Sequence, residues 1–433
     1  MKPTVGILTL GCKVNQYESE AIAEAFEAAG FSLRPADGPC DVYVINTCTV
    51  TAESDRKARQ FIRRATAHNK DARILVTGCF SQVAPEAVSA LPRVDYICGN
   101  ADKLSVVAAA RRLLRGEKPP AVAVSEIAAA PFEPMKITRF ERTRAYVKIE
   151  DGCENHCTYC IIPRARGKVR SKPLADVVRE VEGLAAGGCR EVVLTGIETA
   201  AYGQDLADVT LIDLLEAVDT IPGLARVRLG SLEPTLLRAE FVSRAAKLRA
   251  LAPHFHLSMQ SGSAKVLAAM KRKYNPEQAM ANVERLRAAF PEAELTADFI
   301  VGFPGETDED FADTMAFARR AAFLHMHVFA YSRRAGTPAA AMPDQVPVAV
   351  KKERSAALIA LGEELRRTRL QRALAARPVR EVLFETFENG VATGHTKEFL
   401  EVRAPAPGPL HGEMREVRLE KIENDALYGA LTR

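Results

Sequence analysis

Residues 145–160 read Ala145-Tyr146-Val147-Lys148-Ile149-Glu150-Asp151-Gly152-Cys153-Glu154-Asn155-His156-Cys157-Thr158-Tyr159-Cys160. A β-rich run opens the segment, and a C-x3-C-x2-C pattern follows it. Three thiolates on one loop can hold three irons of a 4Fe-4S cluster and leave the fourth iron open to a chelating ligand. Structural zinc is the alternative, but a closed zinc site takes four ligands and only His156 lies near enough to complete it. The pattern predicts an iron–sulfur cluster on Cys153, Cys157 and Cys160.

The surrounding residues 139–350 alternate strand-like runs with helical segments. Helices between successive parallel strands must cover a sheet or close it into a barrel, and active sites then gather at the carboxyl ends of the strands. Six such units predict an incomplete (β/α)6 barrel. The predicted strands are Ala145–Glu150, Glu191–Thr195, Arg226–Gly230, His254–Ser258, Leu295–Val301 and His325–Tyr331.

Residues 1–118 show the same alternation and predict a parallel α/β domain. Its expected strands are Val5–Thr9, Val42–Asn46 and Ile74–Thr77. Cys12, Cys48 and Cys79 each follow one of these strands, and strand ends of a parallel sheet converge on one crevice. They are therefore candidate ligands of a second site, although three small buried hydrophobic residues would give the same pattern. The remaining singled-out cysteines are expected to be packing residues: Cys40, Cys98 and Cys189.

Three further segments complete the predicted organisation. Residues 119–138, rich in Pro and Ala, are expected to be a linker, or else to pack along the surface. Residues 351–377 predict a helical connector with eight Lys/Arg against three Glu. Residues 378–433 contain short strands separated by Gly and Pro and predict a small β-barrel. The fold class is thus α/β, with an N-terminal parallel domain, a central partial barrel and a C-terminal β-barrel.

The composition argues against a membrane protein and against a disulfide framework. The chain has 433 residues, 47% hydrophobic and 26% charged, and contains no charge-free apolar run long enough to cross a bilayer. Its first residues lack a signal-peptide pattern, so we expect a cytoplasmic protein with no membrane partner. A net charge of +4 means that any nucleic acid must be bound by local basic patches. Nine cysteines in such a protein indicate metal or redox chemistry rather than disulfides.

At the C-x3-C-x2-C loop the chain resembles the radical S-adenosylmethionine superfamily. Together with the N-terminal cysteines it resembles the methylthiotransferase family over nearly the whole chain. The motifs that carry the resemblance are Gly11-Cys12-Lys13-Val14-Asn15-Gln16, Asn46-Thr47-Cys48-Thr49-Val50, Gln260-Ser261-Gly262-Ser263 and Gly302-Phe303-Pro304-Gly305-Glu306.

The resemblance implies two 4Fe-4S clusters, one on each set of three cysteines. It implies that S-adenosylmethionine chelates the open iron of the barrel cluster and is cleaved to a 5′-deoxyadenosyl radical. A second S-adenosylmethionine would donate a methyl group to sulfur at the N-terminal cluster. A C-terminal TRAM barrel would contact RNA, and electrons would come from a donor protein such as flavodoxin or ferredoxin.

Binding of S-adenosylmethionine is expected at the ends of the barrel strands. By resemblance, Arg272 would pair with the carboxylate of S-adenosylmethionine, although an Arg flanked by Lys271 and Lys273 could equally belong to a solvated face. Glu198 departs from the family, which more often has His or Asn there. The candidate cofactor-binding residues are Thr195, Gly196, Glu233, Ser258, Gln260, Arg272, Asp298 and Gly302.

Candidate RNA contacts are scattered basic patches. Basic residues alternate through Arg164–Lys172, which in an extended chain would form one row facing phosphates, with a solvated loop as the alternative. A helix carrying Arg56, Lys57, Arg59, Arg63 and Arg64 is a second patch, and the helical connector a third. The C-terminal barrel is net acidic, so it would need a local face, with these candidates: Lys397, Arg403 and Arg415, with Phe399 or Tyr428 for base stacking.

The resemblance to the methylthiotransferase family implies a tRNA methylthiotransferase acting at carbon 2 of a modified adenosine next to the anticodon. Ser231-Leu232-Glu233-Pro234 resembles the N6-threonylcarbamoyladenosine branch, and the threonyl carboxylate would need cations such as Arg333 or Arg334. Isopentenyladenosine and a ribosomal protein aspartate are the alternative substrates. A cobalamin-dependent radical methylase is a rival interpretation, but this sequence does not contain the D-x-H-x-x-G loop that binds cobalamin. The rival from another class is a non-catalytic RNA-binding protein with structural iron–sulfur clusters.

Overall fold

The structure is a computed structural model that describes residues 2–49, 52–376 and 378–432. Five residues lie outside the described ranges: Met1, the motif residue Val50, Thr51, Arg377 at the predicted end of the connector, and the terminal Arg433 of the predicted barrel. The described chain folds into the three predicted parts in sequence order.

The N-terminal part is a six-stranded parallel sheet in the order β2-β1-β3-β4-β5-β6. Its central strand Val42–Thr47 is buried at every position, as expected for a strand covered on both faces. The strands are β1 Thr4–Thr9, β2 Ser32–Arg34, β3 Val42–Thr47, β4 Arg73–Gly78, β5 Tyr96–Cys98 and β6 Val122–Ala123. The helices are α1 Lys13–Ala28, α2 Ala52–His68, α3 Cys79–Val83, α4 Pro85–Ser89 and α5 Ser105–Leu114.

The segment predicted as a linker, 119–138, is built into the fold. Its residues Val122–Ala123 form the sixth strand, and a 3₁₀ helix follows at Ile127–Ala129. Met135 and Ile137 are buried in the main hydrophobic core. Segment 119–138 thus contributes both to the N-terminal sheet and to the main core.

The central part is the predicted six-unit partial barrel. Its strands lie in two parallel sheets that meet at Gly230, where β11 ends and β12 begins. The strands are β7 Ala145–Lys148, β10 Glu191–Thr195, β11 Arg226–Leu229, β12 Ser231–Leu232, β13 His254–Gln260, β14 Glu294–Val301 and β15 His325–Ala330. A small ribbon pairs β8 Glu150–Asp151 with β9 Arg170–Ser171. All six predicted strands are confirmed.

Helices and 3₁₀ turns cover the outside of this partial barrel. The helices are α6 Ile162–Arg166, α7 Leu174–Ala186, α8 Leu211–Asp219, α9 Ala239–Ala245, α10 Ala264–Ala269, α11 Pro276–Ala289, α12 Asp308–Ala321 and α13 Pro338–Ala341. The 3₁₀ turns are Thr199–Ala201 and Pro234–Leu236. Capping boxes set the starts of three helices, at Thr210, Asn275 and Thr307.

A long helix, α14 Val348–Ala376, leads to a closed five-stranded barrel at the C-terminus. The barrel order is β16-β17-β18-β20-β19, and only the β18–β20 pair is parallel. Its strands are β16 Val379–Glu388, β17 Val391–Thr396, β18 Glu401–Pro405, β19 Met414–Glu423 and β20 Ala426–Leu431. Among the described residues, none of the helices combines the length and apolar character that a bilayer crossing requires.

The C-terminal barrel docks on the amino-terminal end of the partial barrel. Arg226 donates to the His395 carbonyl at 3.0 Å, and Arg228 donates to the Lys397 carbonyl at 3.1 Å. The Phe399 ring stacks on His254 and on His395, with centroid distances of 4.7 and 4.5 Å. The prediction that Phe399 stacks on RNA bases is therefore wrong, because its ring is committed to this interface.

The other basic candidates of the C-terminal barrel also have partners within the chain. Lys397 donates to the Arg249 carbonyl at 2.6 Å. Arg403 pairs with Glu401 at 2.6 Å, and Arg415 pairs with Glu413 at 2.8 Å. Tyr428 carries the Lys421 ammonium over its ring at 5.3 Å. A local RNA-binding face on this barrel stays a prediction.

A buried ion cluster joins the N-terminal sheet to the partial barrel. Glu18 of α1 accepts hydrogen bonds from Arg166 at 2.6 Å and Lys148 at 3.0 Å, and it also pairs with Lys103. Asp151 pairs with Arg166 at 3.2 Å and Lys148 at 3.3 Å. Burial opposes ionisation of Glu18, but the three cations outweigh it and hold its pKa well below the usual range. The cluster fixes the two parts of the chain relative to each other.

The predicted row of phosphate-binding cations at Arg164–Lys172 is wrong. The segment is not extended, because α6 covers its first residues. Arg166 is fully buried in the ion cluster, Arg170 pairs with Asp151 at 3.4 Å, and Lys172 is buried against Glu180. Lys168 is exposed, as is Arg164. Several of the alternating basic residues of this segment form buried ion pairs. Their spacing in the sequence does not distinguish such buried residues from a row of solvent-exposed cations.

Acid should weaken the contact between the two barrels through Glu191. Burial alone would raise the pKa of this carboxyl, but Arg228 at 2.8 Å and Arg144 at 2.5 Å lower it to about 2. A depressed carboxyl pKa stabilises the fold above the unfolded-state value of 4.5, and this contribution is lost as pH falls from there towards 2. The full contribution is roughly 3 kcal/mol.

Urea unfolding of the metal-free chain between pH 5 and pH 3 measures this effect. The wild type should lose stability more steeply with acid than Glu191→Gln, whose side chain does not titrate. Glu420→Gln, at an exposed position, is the matched control and should follow the wild type. Parallel curves for the wild type and Glu191→Gln would contradict the assignment.

Candidate active site

The loop with Cys153, Cys157 and Cys160 begins at a sharp turn after β8. Gly152 has φ of +93°, and a side chain there would collide with the Lys168 carbonyl. The Cys153 amide donates to the Gly167 carbonyl at 3.1 Å, and the Thr158 amide donates to the Met270 carbonyl at 3.1 Å. Backbone hydrogen bonds on both sides thus hold the loop at the barrel mouth.

The three thiols lie in a desolvated site with one cation. Burial raises the pKa of Cys153 to about 12 and that of Cys160 to about 11. Arg272 lies with Nη1 3.2 Å from the Cys157 sulfur, and its Nη2 pairs with Glu233 at 3.1 Å. The thiols of Cys153 and Cys160 therefore stay protonated at neutral pH unless metal binding displaces the protons. The donor set and its cation fit a thiolate-bound cluster.

The N-terminal cysteines converge as predicted. Gly11 has φ of +120°, and a Cβ on it would lie 2.9 Å from Cβ of Cys48, so the first two loops touch. Asn15 donates to the Thr47 carbonyl at 2.9 Å, and the Cys12 sulfur lies 3.6 Å from Asn15 Oδ1. Cys12 is exposed to the adjoining cavity, but desolvation by the surrounding protein raises the pKa of its thiol, and Cys79 is close enough to raise it further.

Arg166 connects the two cysteine sites. It lies six residues after Cys160, and its Nε points to the Cys79 sulfur at 3.3 Å. Its Nη2 donates to Asn15 Oδ1 at 2.6 Å, beside Cys12. Asn100 Nδ2 also approaches the Cys79 sulfur, at 3.5 Å. Two donors aimed at one buried sulfur suit a thiolate rather than a thiol. The spacing of the cysteines gave no signal for either donor.

A central cavity of about 570 Å³ opens between the three parts of the chain. Cys12 and Lys13 line it from the start of α1 in the N-terminal part, and Phe399 lines it from the C-terminal barrel. The partial barrel contributes the inward faces of its strands, including Thr195, Gly196, Arg228, Ser231, Asp298 and His327. The cavity therefore reaches from the N-terminal cysteine site into the barrel interior.

A histidine-rich face of this cavity was missed by the sequence analysis. His256 Nε2 lies 3.0 Å from Asp298 Oδ2, and its Nδ1 lies 2.8 Å from Thr296 Oγ1. Asp298 is in register with His327 on the next strand. Five of the eight histidines line the cavity: His254, His256, His325, His327 and His395. The alternation His254-x-His256 and His325-x-His327 on predicted strands was the signal that could have revealed this face.

The structure divides the predicted cofactor-binding residues between two cavities. Thr195, Gly196 and Asp298 line the central cavity. Glu233 lines a lateral cavity of about 530 Å³ beside Cys153, together with Asn155, Glu198 and Lys273. Arg272 pairs with Glu233, and so stands next to the lateral cavity.

The remaining predicted cofactor-binding residues lie at the strand ends. The Ser258 hydroxyl lies 2.8 Å from that of Ser231, and the Ser258 carbonyl accepts from Arg272 at 3.2 Å. Gln260 ends β13 with φ of +64°. Gly302 packs beneath the Lys351 side chain at the start of α14. Among the eight candidate cofactor-binding residues, Gly302 differs in that the Lys351 side chain covers it.

Glu198, the position that departs from the family pattern, faces the barrel cysteine loop. Asn155 donates to its Oε2 at 3.2 Å, and its backbone amide donates to Glu150 Oε2 at 2.8 Å. Burial and then Glu233 raise the pKa of Glu198 to about 7. A carboxyl that is partly protonated at neutral pH can donate a hydrogen bond in the lateral cavity.

The two arginines expected near a threonyl carboxylate lie in the loop after β15. Arg334 donates to the Thr49 hydroxyl at 2.7 Å, next to Cys48. Arg333 donates to the Ala340 carbonyl at 2.7 Å. Neither arginine is among the residues that line the central cavity.

The partial barrel and its three-cysteine loop define a radical S-adenosylmethionine enzyme. The family model "Radical SAM superfamily" matches residues 147–318, and the model "Uncharacterized protein family UPF0004" matches residues 4–99. Membership implies a 4Fe-4S cluster and S-adenosylmethionine as the cofactors of the barrel site.

The chain belongs to the radical S-adenosylmethionine tRNA methylthiotransferases. It is 40% identical to the threonylcarbamoyladenosine tRNA methylthiotransferase MtaB of Bacillus subtilis, over 96% of this chain and 94% of that protein. The MtaB of Thermotoga maritima is 38% identical, over 98% and 96%. The tRNA-2-methylthio-N(6)-dimethylallyladenosine synthase of Acidothermus cellulolyticus is also 38% identical, but over 84% of this chain and 74% of that protein.

Solved structures agree on the fold. The radical S-adenosylmethionine methyltransferase TsrM of Kitasatospora setae gives a TM-score of 0.57 at 17% identity, covering 78% of this chain and 77% of that one. The cobalamin-dependent radical enzyme OxsB gives 0.52 at 12% identity, covering 84% and 56%. At these identities the likenesses concern the fold alone.

Arg272 should tune the cluster held by the barrel loop. Arg272→Gln removes a positive charge and an N–H donor from the Cys157 sulfur, so the reduced cluster loses stabilisation and its midpoint potential should fall. Potentiometric titration monitored by electron paramagnetic resonance measures this potential. Lys271→Gln, at the exposed neighbouring position, is the control and should leave the potential unchanged. An unshifted potential in Arg272→Gln would disprove the contact.

Proposed function

We propose that this chain methylthiolates carbon 2 of N6-threonylcarbamoyladenosine next to the anticodon of tRNA. Its alignment with the MtaB relatives extends over 94% and 96% of their lengths, against 74% for the dimethylallyladenosine synthase. The observation that carries the proposal is the central cavity, since it joins the N-terminal cysteine site to the barrel interior and is lined with cations.

Cys153, Cys157 and Cys160 would hold the barrel cluster. When bound, this 4Fe-4S cluster supplies the electron that cleaves S-adenosylmethionine to a 5′-deoxyadenosyl radical. Arg272 and Glu233 would position the cosubstrate beside the loop, with the lateral cavity close by. We assign the remaining contacts to Thr195, Gly196, Ser258, Gln260, Asp298 and Gly302. Carbon 2 of adenine carries no acidic proton, so acid–base catalysis cannot activate it and a radical is required.

Cys12, Cys48 and Cys79 would hold a second 4Fe-4S cluster. Charge supports this assignment, because the buried ion pairs around Glu18 join four cations to two carboxylates: Lys103, Lys148, Arg166 and Arg170 with Glu18 and Asp151. Uncompensated buried charge is costly. Thiolates beside Arg166 would balance this excess, so the protein is preorganised for an anionic group there.

The tRNA backbone must be bound by exposed cations. Helix α2 presents Arg56, Lys57, Arg59, Arg63 and Arg64 on its exposed positions. It begins four residues after Cys48, so phosphates on this face would lie near the N-terminal cysteines. We propose that the C-terminal barrel is a TRAM domain that assists RNA binding. The enzyme would work in the cytoplasm with electrons from a donor protein such as flavodoxin or ferredoxin.

The two cysteine sites should separate in function. Cys157→Ala should abolish formation of 5′-deoxyadenosine, because the barrel cluster alone contacts the sulfonium during its reduction. Cys48→Ala should leave 5′-deoxyadenosine measurable and eliminate the methylthio product. Chromatography of reconstituted, anaerobic reactions measures both products, and iron and sulfide analysis should give about eight irons for the wild type and about four for each variant. Loss of cleavage in Cys48→Ala that retains four irons would overturn the assignment.

The substrate is tested in a host that lacks its own methylthiotransferases. Mass spectrometry of nucleosides from tRNA should show methylthio-threonylcarbamoyladenosine when this chain is expressed, and no methylthio-isopentenyladenosine. The Cys157→Ala variant is the control and should yield neither. Appearance of the isopentenyl product alone, or methylthiolation of a ribosomal protein aspartate with unmodified tRNA, would refute the substrate assignment.

A further inference from the structure

The cations that line the central cavity differ in their partners. Four basic residues line it, Lys13, Arg144, Arg228 and Arg366, against the carboxylates of Asp298 and Glu401. Arg144 and Arg228 are paired with Glu191, and Arg366 donates to the Asp425 carbonyl at 2.8 Å. Within residues 2–49, 52–376 and 378–432, no carboxylate oxygen lies within 4.0 Å of the Lys13 ammonium. Lys13 is thus a cation of the cavity without an ion-pair partner from the described chain.

The surroundings of Lys13 favour an anionic ligand. Lys13 is exposed where it lines the cavity, and the guanidinium groups of Arg144 and Arg228 line the same cavity. The carboxylate of Asp298 lines it as well, but its Oδ2 lies 3.0 Å from His256 Nε2. An ammonium that shares a cavity with guanidinium groups gains from an anion that enters the cavity.

The position of Lys13 is set by Cys12. The two residues are neighbours at the start of α1, and both line the same cavity. An anionic group bound to Lys13 therefore lies beside the N-terminal cysteine site. Any substrate atom that receives sulfur from that site must be close to this anionic group.

The chemistry of the modified adenosine meets this requirement. Carbon 2 and the N6 substituent flank the same ring nitrogen, N1, so the threonylcarbamoyl tail lies on the edge of the base that carries the reacting carbon. The tail ends in a carboxylate, whereas an isopentenyl tail is apolar. We propose that Lys13 binds the carboxylate of the N6 substituent and selects threonylcarbamoyladenosine. This inference rests on the proposed function.

The test compares two substrates and three variants. The substrates are a tRNA carrying N6-threonylcarbamoyladenosine and the same tRNA with that carboxylate converted to its neutral methylamide. The variants are Lys13→Gln, Lys13→Arg and Lys70→Gln, the last being a matched charge removal at an exposed position of the N-terminal part. Nucleoside mass spectrometry gives kcat and KM for the methylthio product, and titration of the anticodon stem-loop into the protein without S-adenosylmethionine gives binding directly.

We expect Lys13→Gln to lower kcat/KM on the natural tRNA by about 10- to 100-fold, mostly through KM, as for loss of a hydrogen bond to a charged group. The wild type should lose a similar factor on the methylamide, and Lys13→Gln should lose little more there, since the two changes remove one interaction. Lys13→Arg should recover part of the loss, and Lys70→Gln should match the wild type. Stem-loop binding should follow the same order.

Two results would overturn the inference. One is an unchanged kcat/KM in Lys13→Gln, and the other is an equal loss on both substrates, which would give Lys13 a role unrelated to the carboxylate. Failure of the proposed function shows itself separately, because the wild type would then leave the threonylcarbamoyl tRNA unmodified before any variant is compared.

Discussion

The Arg166 guanidinium is the contact on which the relative placement of the two cysteine sites depends. It is fully buried and follows the barrel cysteine loop in sequence, and its partners Glu18, Asn15 and Cys79 lie on helices α1 and α3 of the N-terminal part. A bidentate guanidinium holds its partners in a fixed plane, which a single ammonium does not. The distance between the two sites is therefore set by one rigid group together with Glu18, rather than by a flexible connection between domains.

The two cavities of the structure differ in the charge of their linings. The lateral cavity lies beside the barrel loop and contains the carboxylates Glu198 and Glu233, whereas the central cavity adjoins Cys12 and contains most of the cations. A zwitterionic cosubstrate with an amino group and ribose hydroxyls suits the first environment. A substrate with an anionic tail suits the second. The proposed contacts of the cosubstrate nevertheless extend into the second cavity, at Thr195, Gly196 and Asp298.

The fold was predictable because buried parallel strands carry a strong local signal. Glu191–Thr195 and Leu295–Val301 are apolar runs bounded by turn residues, and the structure has strands there with almost the same bounds. The convergence of Cys12, Cys48 and Cys79 was predictable for the same reason, since strand ends in a parallel sheet meet. Cys153, Cys157 and Cys160 were singled out by their spacing on one loop. The partners of the buried charged residues could not be predicted from the sequence. Arg166 and Phe399 appear in the sequence as an exposed cation and an exposed aromatic residue, and only long-range packing assigns them to Glu18 and to His254.

The Phe399 ring closes one end of the partial-barrel interior. Six strands leave the barrel interior open at its amino-terminal end, and Phe399, with φ of +72°, is held there in a conformation that bulky residues seldom adopt. The rings of His254 and His395 and the guanidinium groups of Arg144 and Arg228 pack around Phe399 and close that end. Removing the C-terminal barrel would therefore do more than detach a domain. It would open the interior of the partial barrel to solvent from the end opposite the cysteine loop.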